Sequence, residues 1–502
     1  MSNRYLVSAT VLLLCCRFAT TLLIELTPQE AYYWNYAIHP ALSYFDHPPL
    51  VAWVIAFGQF IFGKSELGVR IGGFLITLIS TWLLYALGKL WFDKKAGLWA
   101  AFLFQLTPLF FVYGVMTTPD VPLTLFWLLT LYLVSIAVRE DRKWPWYLAG
   151  VTLGLSLLSK YAGIFLVPSA LLFLIVDRGQ RRWLLKKEPY LALLIAFVIF
   201  MPVILWNMQH HWASFRFQVS DRLSQESNHR LGRFGEFLLI QLGITSPTLL
   251  AGLLLSWGTP MSLGIKARRL RWRFCFLFSL PLLGFLLILA TRFSVKPNWT
   301  LPGYLSLLIA AYPAYRYLRL NGGTRMKVAG RYFLSTCSYA LPVIYILAVL
   351  HVVFTLPFLP PHSFTTGWKE LGRVVDQEAA AFEIEDHKKV FLLGLDTHYV
   401  AAILSFYTNG MYQVSSRNLV GRPALAFEYW PPKSDPEGLN ALAIDVNAPE
   451  PEPLRKYFAR VDNEAKRVPI VKAGRVVKYF YVIRCYDYVG RRSSHASLTT
   501  NR

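Results

Sequence analysis

From the N-terminus to about Phe354 the chain is a succession of apolar segments, most of them about long enough to cross a bilayer. Short polar or proline-rich interruptions separate them, with no globular insert between. Such a pattern confines the fold to a bundle of membrane helices, because a lipid-exposed backbone must satisfy its amides within its own segment. About eleven spans are expected, beginning near residues 5, 67, 96, 121, 144, 162, 189, 236, 274, 299 and 332. The two at 144–158 and 162–176 are short, so the turn between them is expected inside the membrane envelope. Leu50–Phe62 lies between Pro48-Pro49 and Gly63-Lys64 and is too short to span, so it is assigned to the membrane surface. A hydrophobic fraction of 55%, a charged fraction of 16% and a mean hydropathy of +0.40 agree with a polytopic membrane protein.

From about His362 charged residues and shorter apolar runs replace the spans, which marks a separate soluble domain. Gly367–Phe382, His398–Tyr407 and Pro453–Val461 have helical spacing, while Lys389–Leu395, Leu439–Val446 and Val476–Ile483 read as strands. The expected architecture is therefore an all-α polytopic membrane domain over 1–356, whose first long loop covers about 25–66, then a small soluble α/β domain over 362–490 and a polar tail, 491–502. The apolar run at the N-terminus has no evident small-residue cleavage site after it, so a retained first span is expected.

Basic residues cluster in alternate loops: Lys94 and Lys95; Arg139, Arg142 and Lys143; Arg178 to Lys187; Lys266 to Arg273; and Arg325 to Arg331. By the positive-inside rule these are cytoplasmic, with the N-terminus. The loop holding Glu30 and Asp46, the turn at Asp120, the Trp206–Glu236 loop and everything after about Phe354 then face the extracytoplasmic side. The formal net charge of +22 is accounted for by these short loops, and no separate basic domain suggests nucleic acid. Five cysteines, four of them in apolar segments, give no disulfide framework or cysteine metal site.

Candidate chemistry gathers on that extracytoplasmic side. Glu30, with Tyr33 and Trp34 one turn later, follows the first span; a second acidic turn in the same loop favours a catalytic acid over an interfacial residue beside an aromatic belt. In the same loop, Tyr44-Phe45-Asp46-His47-Pro48-Pro49 offers oxygen and imidazole donors for a divalent cation, although two adjacent donors do not complete a coordination shell. Asp120, in Thr118-Pro119-Asp120-Val121-Pro122, suits both helix capping and catalysis. Lys160 interrupts two apolar runs and either snorkels or meets an anion. Arg292 and Lys296, expected on the same face, favour a phosphate-bearing ligand. The loop with Trp206, Asn207, His211 and Arg222 mixes aromatic and hydrogen-bonding groups suited to a sugar or lipid headgroup, together with Tyr33, Trp34 and His47.

Taken together, Pro28-Gln29-Glu30-Ala31-Tyr32-Tyr33-Trp34, Tyr44-Phe45-Asp46-His47-Pro48-Pro49, Pro119-Asp120-Val121-Pro122 and Ser159-Lys160 resemble, in order, the GT-C superfamily of polytopic glycosyltransferases. The branch they resemble is that of bacterial protein O-mannosyltransferase-like and aminoarabinose-to-lipid-A transferases. The resemblance implies a polyprenyl-phosphate-sugar donor, a lipid, glycan or protein acceptor, inversion at the anomeric carbon, and a bacterial inner membrane location. It implies Glu30 and Asp120 as catalytic residues, Lys160 at the donor phosphate, and Asp46 as the metal ligand if a divalent ion is used. Gln29 stands where the family usually has an acid, which leaves Glu30 to carry that part of the motif. The rival class is a transporter or flippase of lipid-linked sugars, which would place polar groups deep in several spans rather than at one face.

Overall fold

The computed structural model describes residues 1–221, 230–246, 249–250, 253–254, 266–321, 323–354, 365–408, 410–432, 434–472 and 474–490. The first helices are α1 (Asn3–Leu23), α2 (Pro28–Ile38), α3 (Leu50–Phe62), α4 (Glu66–Trp91) and α5 (Lys94–Leu106). Then follow α6 (Pro108–Val115), α7 (Asp120–Glu140), α8 (Trp144–Ser159), α9 (Leu166–Val176) and α10 (Glu188–Gln209). Later come α11 (Arg230–Thr245), α12 (Lys266–Leu277), α13 (Leu280–Leu289), α14 (Leu301–Asn321), α15 (Thr324–Ser335) and α16 (Leu341–Phe354). After them lie α17 (Trp368–Asp386) and α18 (Tyr399–Tyr407) among the strands β1 (Val390–Gly394), β2 (Val414–Ser416), β3 (Asn440–Asp445), β4 (Phe458–Val461), β5 (Lys466–Lys472) and β6 (Arg475–Tyr488).

Among the described residues, six helical stretches are long and apolar enough to cross a membrane: Asn3–Leu23, Glu66–Trp91, Asp120–Glu140, Glu188–Gln209, Leu270–Leu289 and Gly330–Val353. The pair α5 and α6, bent by 68° at Thr107-Pro108, makes a seventh candidate. These account for the expected spans at 5, 67, 96, 121, 189, 274 and 332. The expected spans at 144 and 162 are the shorter helices α8 and Tyr161–Val176, and those at 236 and 299 correspond to α11 and α14. Leu50–Phe62 is a helix of 13 residues, as its bounding prolines and glycine require.

The chain forms two compact units, Met1–Leu22 with Ala41–Leu350, and Leu23–Pro40 with His351–Arg502. The first long loop is thus divided between the two units at Pro40 and Ala41. In the first unit, small residues let the helices approach closely. A Cβ on Gly150 of α8 would lie 2.5 Å from the carbonyl oxygen of Ala192 on α10, and one on Gly154 would lie 2.7 Å from Ile199. Gly150 and Gly154 thus face the Ala192–Ala196 turn, a small-xxx-small contact that provides packing where lipid gives no hydrophobic drive. The same helix ends at Lys160, so this contact positions the site described below.

The second unit is built on a sheet of order β2-β1-β3-β6-β4, with β5 also on β6. The pairs β1–β2 and β1–β3 are parallel and every pair with β6 is antiparallel. Phe391, Leu393, Ala441, Ala443, Phe458, Ile483 and Cys485 fill one core. The sequence places β1, α17, α18 and β3 well. It reads Pro453–Val461 as helix, whereas the chain makes one helical turn at Pro451–Leu454 and then β4. The reason is tertiary: Phe458 and Val461 are buried against β6, and that pairing overrides a local periodicity.

Helix α2 belongs to this second unit. Trp34 meets Phe406 of α18 edge-on with ring centroids 5.1 Å apart. The Tyr32 hydroxyl accepts from the Ala426 amide at 3.1 Å, and the Tyr407 hydroxyl accepts from the Leu26 amide at 2.6 Å. Nearby, the Glu25 carboxylate accepts from the Trp368 amide at 2.6 Å, and the Lys478 ammonium lies 3.2 Å from the centre of the Trp368 ring. Burial pushes Lys478 down from its ordinary 10.5 to about 7, with Glu25 opposing the shift.

Two outcomes follow from this packing. Gly150→Val forces α8 away from α10 and is expected to cost about 1–3 kcal/mol, read as a lower thermal midpoint in detergent together with reduced activity. For Lys478 the folded value lies below the unfolded one, so the unfolded state binds more protons between about pH 7 and pH 10.5. Stability of the second unit should therefore rise across that window, with the full penalty present below it; hydrogen exchange in β5 and β6, corrected for intrinsic rate, should slow with pH in the wild type and lose that trend in Lys478→Met.

Candidate active site

The turn before α7 runs Thr117-Thr118-Pro119, and the fixed φ of Pro119 starts the helix at Asp120. Asp120 therefore sits in the first turn, where the helix dipole favours an anion. Its carboxylate is 2% exposed by side chain, yet it is matched on both sides. Oδ1 accepts from Lys160 Nζ at 2.7 Å and Oδ2 accepts from Asn298 Nδ2 at 2.7 Å. Lys160, with 9% of its side chain exposed, does not snorkel into open water.

The position of Lys160 is a local consequence of how α8 ends. Lys160 is extended (φ −161°, ψ 142°), and a 3-10 turn, Tyr161–Phe165, follows at once. That turn folds back across the helix end, and a Cβ on Gly163 would stand 2.9 Å from the Ser156 carbonyl oxygen. Asn298 comes from another 3-10 turn, Pro297–Thr300, just before α14. Three separate elements thus converge on one buried ion pair.

Tyr161 links this pair to the first-loop motif. Its hydroxyl is 2.6 Å from the Ser214 hydroxyl, and it faces Ser43 and Asp46. Asp46 is anchored through its backbone carbonyl, which accepts from Gln218 Nε2 at 2.7 Å, while Phe45 packs on Phe217 at 4.6 Å. The loop after α10 therefore folds over the Tyr44–Pro49 turn. His47 Nε2 lies 4.0 Å from Asp46 Oδ2, and both residues are buried. Among the described residues no group of three His, Cys, Asp or Glu stands together, and no step is assigned to a metal ion.

The remaining sequence candidates separate into groups. Trp206 is buried and stacks on His210 at 4.0 Å. Asn207 turns its side chain to local structure, donating to the Val203 carbonyl at 2.9 Å and accepting from the Phe215 amide at 3.2 Å. His211 is exposed in a left-handed conformation (φ 52°). Arg292 and Lys296 are exposed on the segment leading to Asn298. Arg222 lies outside the described residues.

Glu30, Tyr33 and Trp34 lie in the second unit, on α2. Glu30 completes a capping box: its Oε2 accepts from the Thr27 amide and hydroxyl, each at 3.0 Å, and the Thr27 hydroxyl accepts from the Glu30 amide at 3.3 Å. Tyr33 accepts from Gln29 Nε2 at 2.8 Å. These roles account for Thr27-Pro28-Gln29-Glu30 as a helix start.

Two participants, Asn298 and Tyr161, lay inside stretches singled out for their cations and were passed over. A polar amide directly after Lys296-Pro297 at a helix entry is the signal that identifies the first.

Residues 46–206, which hold the Asp46, Asp120 and Lys160 motifs, match the family described as dolichyl-phosphate-mannose-protein mannosyltransferase. Over 408 residues, 80% of this chain and 81% of the relative, the sequence is 25% identical to a lipid A galacturonosyltransferase of Rhizobium johnstonii. A shorter stretch of 177 residues is 33% identical to an undecaprenyl phosphate-α-4-amino-4-deoxy-L-arabinose arabinosyl transferase of Pseudomonas paraeruginosa, covering 34% of this chain and 31% of that one. In fold, the chain resembles ArnT from Cupriavidus metallidurans, solved bound to undecaprenyl phosphate, with a TM-score of 0.66 at 14% identity over 96% of this chain and 98% of that one. The chain is thus similar over residues 46–206 to a family of polyprenyl-type mannosyltransferases, over most of its length to a lipid A galacturonosyltransferase, and in fold to ArnT.

Proposed function

We propose that this protein transfers a sugar from a polyprenyl-phosphate donor to a lipid A-type or other envelope acceptor, with inversion, on the extracytoplasmic face of a bacterial inner membrane. The observation that carries this reading is the buried Asp120–Lys160 pair braced by Asn298. The names of the relatives supply the donor class, and the lipid A relative supports the acceptor class.

In the reaction, an acceptor oxygen forms a bond to the anomeric carbon while the bond from that carbon to the phosphate oxygen breaks. The electron pair leaves with the polyprenyl phosphate. Lysine has three donors, and Asp120 fixes Lys160 in place, so its ammonium is preorganised to meet charge growing on the departing phosphate. Arg292 and Lys296 supply further positive charge on the same side. Asp120 itself retains lone pairs beyond the two bonds it accepts, enough to orient or deprotonate an acceptor hydroxyl. An acceptor that is already a phosphate needs no base, and the carboxylate then acts through Lys160. Glu30 is the second acid of this proposal. A glutamine at position 30 can accept the same capping bonds, so that substitution separates chemistry from folding.

Purified protein given a polyprenyl-phosphate sugar and an envelope lipid extract should form a new glycosidic bond detectable by mass spectrometry; failure with every acceptor class would refute the reading. Asp120→Asn and Glu30→Gln should each lower transfer by about 10²–10⁴-fold while the protein still folds, and full activity in both would remove them from the mechanism. Lys160→Ala should raise the half-saturating donor concentration more than that of the acceptor. It also leaves the Asp120 carboxylate buried without its cation, at a cost of about 3–5 kcal/mol, so its thermal midpoint should fall as well.

A further inference from the structure

Gln241 interrupts an apolar stretch, Phe237-Leu238-Leu239-Ile240-Gln241-Leu242, and no step above uses it. A polar side chain at membrane depth turns to the bundle interior and takes partners there. On α11 the burial follows that rule: Phe237, Gln241 and Thr245, spaced four apart, are buried, while Leu238, Leu239 and Leu242 are exposed. The helix packs against α6 and against the Pro297–Thr300 turn that carries Asn298.

Two hydroxyls converge on the amide oxygen of Gln241. Oε1 accepts from Thr300 Oγ1 at 3.0 Å and from the Tyr304 hydroxyl at 2.8 Å. Thr300 is the last residue of the turn, and its hydroxyl also stands 3.1 Å from the Pro297 carbonyl oxygen, at the other end of the same turn. Tyr304 lies in the first turn of α14, so one oxygen pins both the turn and the start of the helix that follows. Gln241, Thr300 and Tyr304 are all buried, which keeps water from competing for these bonds. Nε2 of Gln241 is buried too and has no hydrogen-bond partner among the described residues. An unmet donor is a cost that an apolar side chain at 241 would avoid, so the residue contributes through its oxygen. We infer that Gln241 is a positioning residue for the transfer proposed above, an inference that rests on that reading: its oxygen holds the Pro297–Thr300 turn where Asn298 reaches Asp120. The effect runs from Gln241 to Thr300, from Asn298 to Asp120, and from Asp120 to Lys160.

The test uses the full-length protein in nanodiscs with Gln241→Met, Thr300→Val and Asn298→Ala, singly and combined. Gln241→Met should lower kcat about tenfold, the equivalent of one lost hydrogen bond, and leave the half-saturating donor concentration unchanged. Thr300→Val removes the same bond from its other end and should give the same fall. In Asn298→Ala neither change should lower kcat further, because contacts along one route do not add. An unaltered kcat in Gln241→Met, or a fall that persists in full in Asn298→Ala, would overturn the inference. Amide exchange over residues 298–301 needs no activity: it should quicken about tenfold in Gln241→Met, and unchanged protection would also overturn it. A wild-type protein that transfers sugar to no acceptor class would refute the function, while the exchange result would still decide whether Gln241 holds the turn.

Discussion

The first unit is organised around one buried ion pair. Asp120 and Lys160 are desolvated together, and such a pair is tolerable only where geometry is good and the remaining polar atoms are satisfied. Asn298 meets that condition by taking the second carboxylate oxygen. The arrangement therefore depends on α7 starting at Pro119, on α8 stopping at Lys160, and on the turn before α14 arriving at the right height. Each is a local decision of the sequence, and together they make a preorganised positive charge next to a fixed negative one.

That arrangement suits the departure of a phosphate better than a solvent-exposed lysine would. An exposed ammonium is hydrated and mobile, and its pairing with an anion is worth little. Held by Asp120 with little exposure, Lys160 has fewer orientations to lose on meeting an anion. Small residues do equivalent work for the helices, since Gly150, Gly154 and Gly163 let α8 and its terminal turn lie where Lys160 needs them.

Much of this was legible from apolar periodicity and from proline placement. Helix starts at Pro28 and Asp120 follow from the Thr27 cap and from the fixed φ of Pro119, and the short helix Leu50–Phe62 follows from its bounding prolines and glycine. Lys160 was identifiable because a lysine between two apolar runs demands a partner, although its partner could not be chosen from sequence. Asn298 was missed because an amide carries no charge to draw attention. The capping role of Glu30 was hidden for a different reason: the residues that form the capping box at Thr27-Pro28-Gln29-Glu30 overlap those that resemble a catalytic motif. In the second unit, β4 was misread because its alternation became meaningful only against β6.

The division of the first loop between Pro40 and Ala41 has a practical meaning. Removing the chain after Phe354 would also take away Phe406, Tyr407 and Ala426, the residues that receive Trp34, Leu26 and Tyr32. A shortened protein of that kind would keep the Glu30 motif in its sequence while losing the packing that gives the motif its shape. Silence from such a fragment would speak of an unsupported helix, and only point changes in the intact chain can assign chemistry to either unit.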